Sequence, residues 1–215
     1  MYEPEINEYA KASHALTYLS RADKLPHRTE GEAVLIELLP HSIQRILDLG
    51  TGDGRLLSLV KRTQPQVHGI ALDFSQTMLS AVRTRFATDP MVEVVEHNLD
   101  IPLPNLGSFD AVISSFAIHH LNHRRKFDLY AEILQALEPG GIFCNLEHVS
   151  SPSQTIHADF YRAIDRPLSE EDPSHKCLSA EEQVNWLRQL GYEDADCFWK
   201  WREFSLLAGT RPKGS

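Results

Sequence analysis

The sequence predicts an α/β fold on a mainly parallel sheet, and three observations carry the prediction. Short apolar runs alternate with amphipathic segments of helical period, the first strand-like run ends in a cluster of glycines, and no repeat, low-complexity tract or long linker interrupts the alternation. Parallel neighbours need crossover connections, so repeated strand and helix alternation implies a sheet covered by helices on both faces.

Taken in order, Ile6, Tyr9, Ala10, Leu16 and Leu19 recur at loosely helical intervals and predict an N-terminal helix, followed by a polar stretch and a turn at Pro26. Residues 30–39 read as a second amphipathic helix that Pro40 helps to end, and residues 43–49 as a strand running into the glycines. A helix over 55–62 and a strand over 67–73 come next. Ser75 then caps a helix running to about Thr88, because its hydroxyl is placed to accept a free amide of the first turn. Valine-rich residues 91–96 form a strand, and after a loop with Pro102 and Pro104 residues 110–115 form a buried one. A helix over 125–137 is closed by Glu138-Pro139-Gly140-Gly141, and 142–147 is the next strand. Residues 150–176 break the alternation and read as a helix over 155–164 with an acidic loop, inserted above the strand ends. Ser179 with Glu182 three residues on is a capping box, Gly191 follows the last turn of that helix, and residues 194–200 and Phe204–Thr210 look like a strand pair.

The reading is one domain over residues 1–215: a helical cap over 1–40, a core over 41–149, an insertion over 150–178 and a C-terminal helix with strand pair over 179–211. With 42% hydrophobic and 24% charged residues, and no apolar run near the roughly 18 residues of a membrane span, disordered, fibrous and membrane-spanning classes are set aside. The start MYEPEINEYAKASHAL has no signal-peptide core, and the three cysteines are odd in number and widely spaced. A reduced, cytoplasmic chain without structural disulfides is expected. A net charge of −9 argues against nucleic acid as a partner. The eleven histidines show no zinc-finger spacing. His119 and His123 would share a face in a helix, but Asn122 and the strand-to-helix setting argue against a metal pair, so no metal is expected.

The sharpest local signal is Asp48-Leu49-Gly50-Thr51-Gly52-Asp53-Gly54, where a strand runs through glycines into a helix. Glycine there admits positive φ and close approach of a ligand to the backbone. A dinucleotide loop is spaced Gly-x-Gly-x-x-Gly, whereas here the third glycine comes one residue early and Asp48 and Asp53 bring negative charge to where a pyrophosphate would lie. That disfavours a phosphate and favours a ligand with a cationic part. Asp73 ends the next strand, roughly 20 residues on, where a carboxylate can accept both hydroxyl hydrogens of a ribose.

These residues resemble the first motif of the class I S-adenosylmethionine-dependent methyltransferases, and Leu72-Asp73-Phe74-Ser75-Gln76-Thr77-Met78-Leu79 is similar to that family's ribose motif and adenine wall. His97-Asn98-Leu99 falls where the family usually places an acidic residue against the adenine amino group; Asn98 can still accept that hydrogen bond, and Asp100 is its rival. The stretch from Phe109 to Leu121, with Ser114, Ser115, His119 and His120, resembles the fourth-strand motif, and Leu137 to Gly141 the turn before the fifth strand.

The resemblance implies a doubly wound, seven-stranded Rossmann-like sheet with the last strand antiparallel. It implies S-adenosylmethionine as cofactor and S-adenosylhomocysteine as product. Asp48, Gly50, Thr51, Gly52, Gly54, Asp73, Phe74, Met78, Asn98, Leu99 and Ser114 would hold the nucleoside, and Arg28, beside His27, the methionine carboxylate. His119 is the favoured base and His148 a second candidate, since imidazole titrates near neutrality. Tyr9, Tyr18 and Tyr161 are candidates to line an acceptor pocket. Strand alternation sends Trp199 and Trp201 to one face and Lys200 and Arg202 to the other; one of these cations in the pocket would instead fit a carboxy-S-adenosylmethionine synthase. The resemblance therefore implies a methyltransferase of a small-molecule acceptor, acting as monomer or homodimer. A noncatalytic cofactor-binding subunit and a dehydrogenase, the latter against the loop spacing, are the alternatives.

Overall fold

The computed structural model describes residues 11–13, 15–17 and 25–214. Most of the helix expected at the N-terminus, with Tyr9 and Tyr18, lies outside the described residues. The elements that follow are α1 (Arg28–Leu38), β1 (Arg45–Leu49), α2 (Arg55–Thr63), β2 (His68–Asp73), α3 (Gln76–Arg85), β3 (Val92–Glu96) and β4 (Phe109–Ser115). A single 3-10 turn, Ile118–His120, leads into α4 (His123–Ala136), β5 (Leu137–His148) and α5 (Gln154–Ala163). A second 3-10 turn, Leu168–Glu170, precedes α6 (Ala180–Leu190), β6 (Glu193–Trp201) and β7 (Phe204–Thr210).

The seven strands form one sheet in the order β3-β2-β1-β4-β5-β7-β6. β7 runs antiparallel to both β5 and β6, and the remaining pairs are parallel. The alternation expected of strands buried on both faces is visible residue by residue. Ile46, Ala111, Ile113, Cys144 and Leu146 enter one apolar cluster with α1, α2 and Phe160 and Tyr161 of α5. Leu47, Leu49, Val112 and Phe143 enter the other, beneath α4 and α6.

Local chemistry explains the ends of several elements, and departs from expectation at two. Ser75 stands at the N-cap position of α3 but makes no side-chain cap; its backbone amide donates instead to Asp73 Oδ1 at 2.9 Å, and α3 stops at Arg85 rather than near residue 88. The expected turn at 138–141 is absorbed into β5, which begins at Leu137, with a register shift on β4 between Phe109 and Ala111. Ser179 caps α6 as expected: its Oγ accepts from Glu182 N at 3.1 Å and donates to the Glu182 carboxylate at 2.8 Å. Ser179→Ala is therefore expected to cost about 1 kcal/mol. In thermal unfolding that is a fall in Tm of roughly 2–4 °C, and no fall would refute the cap.

The insertion is part of the core rather than a loose roof. Phe160 and Tyr161 of α5 are almost fully buried in the first cluster, where Tyr161 packs as a core residue. In the final hairpin Trp199 and Trp201 pack against the same cluster, while Lys200 and Arg202 are exposed and Arg202 turns back over the Trp201 ring.

Candidate active site

Open α/β sheets bind ligands beyond the carboxyl ends of their strands, where the strand order reverses. Here that point lies between β1 and β4, and the loops after these strands, with the end of β2, wall a cavity. Gly50, Gly52 and Gly54 take φ of 62°, 58° and 80°, which turns the chain sharply between β1 and α2. Beside this turn Thr51 Oγ1 donates to Asp48 Oδ2 at 2.6 Å. Burial, with the charges of Asp73 and Asp53 added, pushes the Asp48 carboxyl up to about 7 against that hydrogen bond.

Asp73 is the polar centre of the cavity. Gly52 N donates to its Oδ2 and Ser75 N to its Oδ1, both at 2.9 Å, so the carboxylate is fixed while each oxygen keeps a second lone pair. Burial raises its pKa against these backbone hydrogen bonds. Phe74, Met78 and Leu99 supply apolar wall, and Gly50, Thr51, Gly52 and Asp48 the floor. Asn98 also lines the cavity, but its Oδ1 already accepts from Asp100 N at 3.0 Å.

Arg28 lies in the wall and His27 does not: His27 bonds to Glu30 and stacks on Trp201. Glu32 holds Arg28 in place, accepting from Arg28 Nε at 2.8 Å and from Arg55 Nε at 2.7 Å, with the Arg28 guanidinium 5.5 Å from the centre of the Phe116 ring. Phe116 itself adopts φ 52°, a strained backbone at the mouth of the crevice.

Two expected ligand contacts are corrected. Ser114 Oγ faces away from the cavity and donates to Leu49 O at 2.8 Å, whereas its neighbour Ser115 lines it. Gly54 is outside the cavity wall; a side chain there would strike Phe86 and Val82, so its part is to let α2 start. The negative charge read at Asp53 is also offset, since Arg85 pairs with its carboxylate and donates to its carbonyl at 2.6 Å.

Neither His119 nor His148 lines the cavity; His120 does. All three belong to a cluster with His175, whose ring lies 4.8 Å from His119, 5.4 Å from His120 and 4.9 Å from His148. His119 Nδ1 meets Glu147 Oε1 at 2.6 Å and His148 Nε2 meets Glu203 Oε2 at 2.9 Å. Burial pushes Glu147 up to about 7, against the charge of Lys126 and the His148 amide. Burial and the neighbouring rings drive His119 and His120 well below the usual imidazole range, so both are neutral. Glu147, His175 and Glu203 were missed from the sequence. Glu147 is next to last in β5, which parallel pairing sets beside the β4 end, and that is a usable signal; the acidic loop carrying His175 offers none.

Behind the cluster, His157 lies between Glu203 (2.8 Å) and Glu171 (3.3 Å). Burial opposes its charge, but hydrogen bonds and attraction from both carboxylates leave its pKa raised. A raised imidazole pKa adds stability that is complete below the unfolded value of about 6.5 and lost as pH climbs through the folded one. Between about pH 5.5 and about pH 8.5 the wild-type urea midpoint should therefore fall further than that of His157→Gln. Equal falls would refute the pairing.

Residues 46–141 match a family model described as a methyltransferase domain. A demethylmenaquinone methyltransferase of Clavibacter sepedonicus is 30% identical over 173 residues, which cover 73% of this chain and 69% of that one. The chain belongs to the class I S-adenosylmethionine-dependent methyltransferases. Its methyltransferase core is also 37% identical, over 94 residues, to an uncharacterized methyltransferase of Mycobacterium tuberculosis; the match spans 44% of this chain and about half, 46%, of that relative. In three dimensions the fold matches an O-methyltransferase family protein from Burkholderia thailandensis with TM-score 0.74 at 19% identity, over 97% of this chain and 63% of that one. Human N-acetylserotonin methyltransferase, solved with S-adenosylmethionine, superposes with TM-score 0.69 at 15% identity over 95% of this chain and 58% of that one. Among the described residues of this methyltransferase no helix is long and apolar enough to cross a membrane.

Proposed function

We propose that this chain transfers the sulfonium methyl of S-adenosylmethionine to a small-molecule acceptor, leaving S-adenosylhomocysteine. The observation that carries the reading is the Asp73 carboxylate, fixed by two backbone amides beside the glycine turn and facing a cavity with apolar walls. The cavity also fits a polar guest: His97 Nε2 and Ser115 Oγ are buried in its lining and have no partner in the protein.

On this reading Asp73 accepts the ribose hydroxyls, Phe74, Met78 and Leu99 flank the adenine, and the backbone of Gly50 and Gly52 admits the ligand closely. Asn98 meets the adenine edge with the capacity left after its bond to Asp100. Arg28 pairs with the methionine carboxylate, held for it by Glu32. S-adenosylmethionine supplies an electrophilic methyl on a cationic sulfur. The chain supplies orientation and a dry crevice, and positioning alone is worth up to roughly 7–11 kcal/mol of a bimolecular barrier. His120, in the wall, is the imidazole placed to touch an acceptor, with His119 and His148 behind it.

A small-molecule acceptor is supported by the acidic balance of the chain and by relatives described as demethylmenaquinone methyltransferases. Lys200 and Arg202 do not line the cavity and so give the carboxylated cofactor no support. Native mass spectrometry of gently purified protein tests the reading. A saturable increment equal to S-adenosylmethionine or its demethylated product is expected. Retention of the heavier carboxylated form, or of nothing at high ligand concentration, would overturn it.

A further inference from the structure

We infer that His119, His120 and His175 form a binding site for a divalent transition-metal ion, with Zn2+ as the representative. One nitrogen from each ring lies within 4.8 Å of the other two. Zinc–imidazole bonds of about 2.0–2.1 Å then need only modest rotations of the rings to close around an ion.

The hydrogen-bond network assigns the lone pairs. With Glu147 ionised, His119 Nδ1–H donates to Glu147 Oε1 at 2.6 Å, which leaves the lone pair at Nε2. Ser174 Oγ spends its own hydrogen on Asp172 Oδ1 at 2.7 Å, so toward His120 Nδ1, 2.9 Å away, it accepts; the His120 lone pair is also at Nε2. A carboxylate or hydroxyl fixing the far nitrogen is how metal-ligating histidines are oriented. Independently, His175 Nδ1 is buried without a partner in the protein, an arrangement that a ligand relieves.

The loop bearing His175 is pinned over the other two rings. Lys176 N donates to His119 O at 2.9 Å, Lys176 Nζ to His120 O at 3.3 Å, and the buried Lys126 Nζ to Lys176 O. Three nitrogen donors suit zinc and its neighbours, whereas magnesium and calcium prefer oxygen. Three protein ligands also leave a fourth position. His120 borders the cofactor cavity and His175 borders a second recess, lined by Ser151, His157, Cys177 and Glu203. An ion here would hold an oxygen or nitrogen donor of a small molecule between the two spaces. The sequence predicts no metal, from the lack of zinc-finger spacing and from Asn122 between His119 and His123; His175 reaches the site from a distant loop.

The test uses the untagged full chain, stripped with chelator and titrated with Zn2+ by calorimetry, then loaded with Co2+. One equivalent should bind, the Co2+ form should show the intense visible bands of a tetrahedral site, and Zn2+ should raise the Tm. Glu147→Gln should weaken Zn2+ binding by about 10–100-fold, and His120→Asn or His175→Ala by more. Cys177→Ser and the exposed His123→Gln should leave it unchanged. Failure of the folded wild type to bind, or a weak octahedral Co2+ spectrum, would overturn the site without any variant. Uptake unchanged in folded His175→Ala would do the same, as would loss in Cys177→Ser, which would shift the ion to His148, His175 and Cys177.

Discussion

Gly50→Val is expected to lower the Tm by roughly 5–20 °C and to abolish cofactor binding together. Gly50 sits at φ 62°, where an L-residue pays about 1–2 kcal/mol, and valine, branched at Cβ, fits worse than most. A Cβ there would also overlap the Cβ of Ala117, in the loop that follows β4. Overpacking of that kind costs about 1–3 kcal/mol more. Against a total stability of about 5–15 kcal/mol the sum is large. The two loops forced apart are also the two walls of the crevice, so the fold and the site fail at one contact. Thermal melts with S-adenosylmethionine titrations check this, and a variant with near-native Tm and affinity would show that the loops are not in contact.

Asp73→Ala should separate affinity from stability. Hydrogen bonds to a charged acceptor are worth about 1.5–3 kcal/mol each, so losing two ribose contacts predicts S-adenosylmethionine binding weakened about 10²–10⁴-fold. Stability moves little, because two effects oppose. Gly52 N and Ser75 N lose their acceptor, but a carboxylate whose pKa burial has raised is itself costly to ionise in the folded state. The sign follows from linkage: a raised folded pKa adds stability only below the unfolded value and loses it as pH rises, so above that range the buried Asp73 carboxyl is a burden that alanine removes. Calorimetric titration and melts at neutral pH test the pair of expectations. A loss of affinity below about 5-fold would remove Asp73 from the ribose.

What could be read from the chain alone was whatever local chemistry determines. The alternation, the glycine turn, Asp73 at a strand end and the capping box at Ser179 all depend on residues close together in sequence, and the structure places them as read. β4 is buried on both faces, so polarity does not say whether Ser114 or Ser115 faces the ligand. The negative charge assigned to Asp53 ignored Arg85, which reaches it from the end of α3. The histidine cluster escaped for a similar reason: His119, Glu147 and His175 meet only once β4, β5 and the insertion loop are packed.

The sheet order also governs when this chain can finish folding during synthesis. β7 comes last in the sheet's chain order yet is hydrogen-bonded on both sides, to β5 and to β6. Until the ribosome has released it, β5 keeps an unpaired apolar edge and β6 has nowhere to dock, a hazard for edge-to-edge association. A nascent chain stalled before Phe204 should therefore be protease-sensitive and prone to aggregate, although the residues lining the cofactor crevice, Arg28 to Leu121, have already been translated.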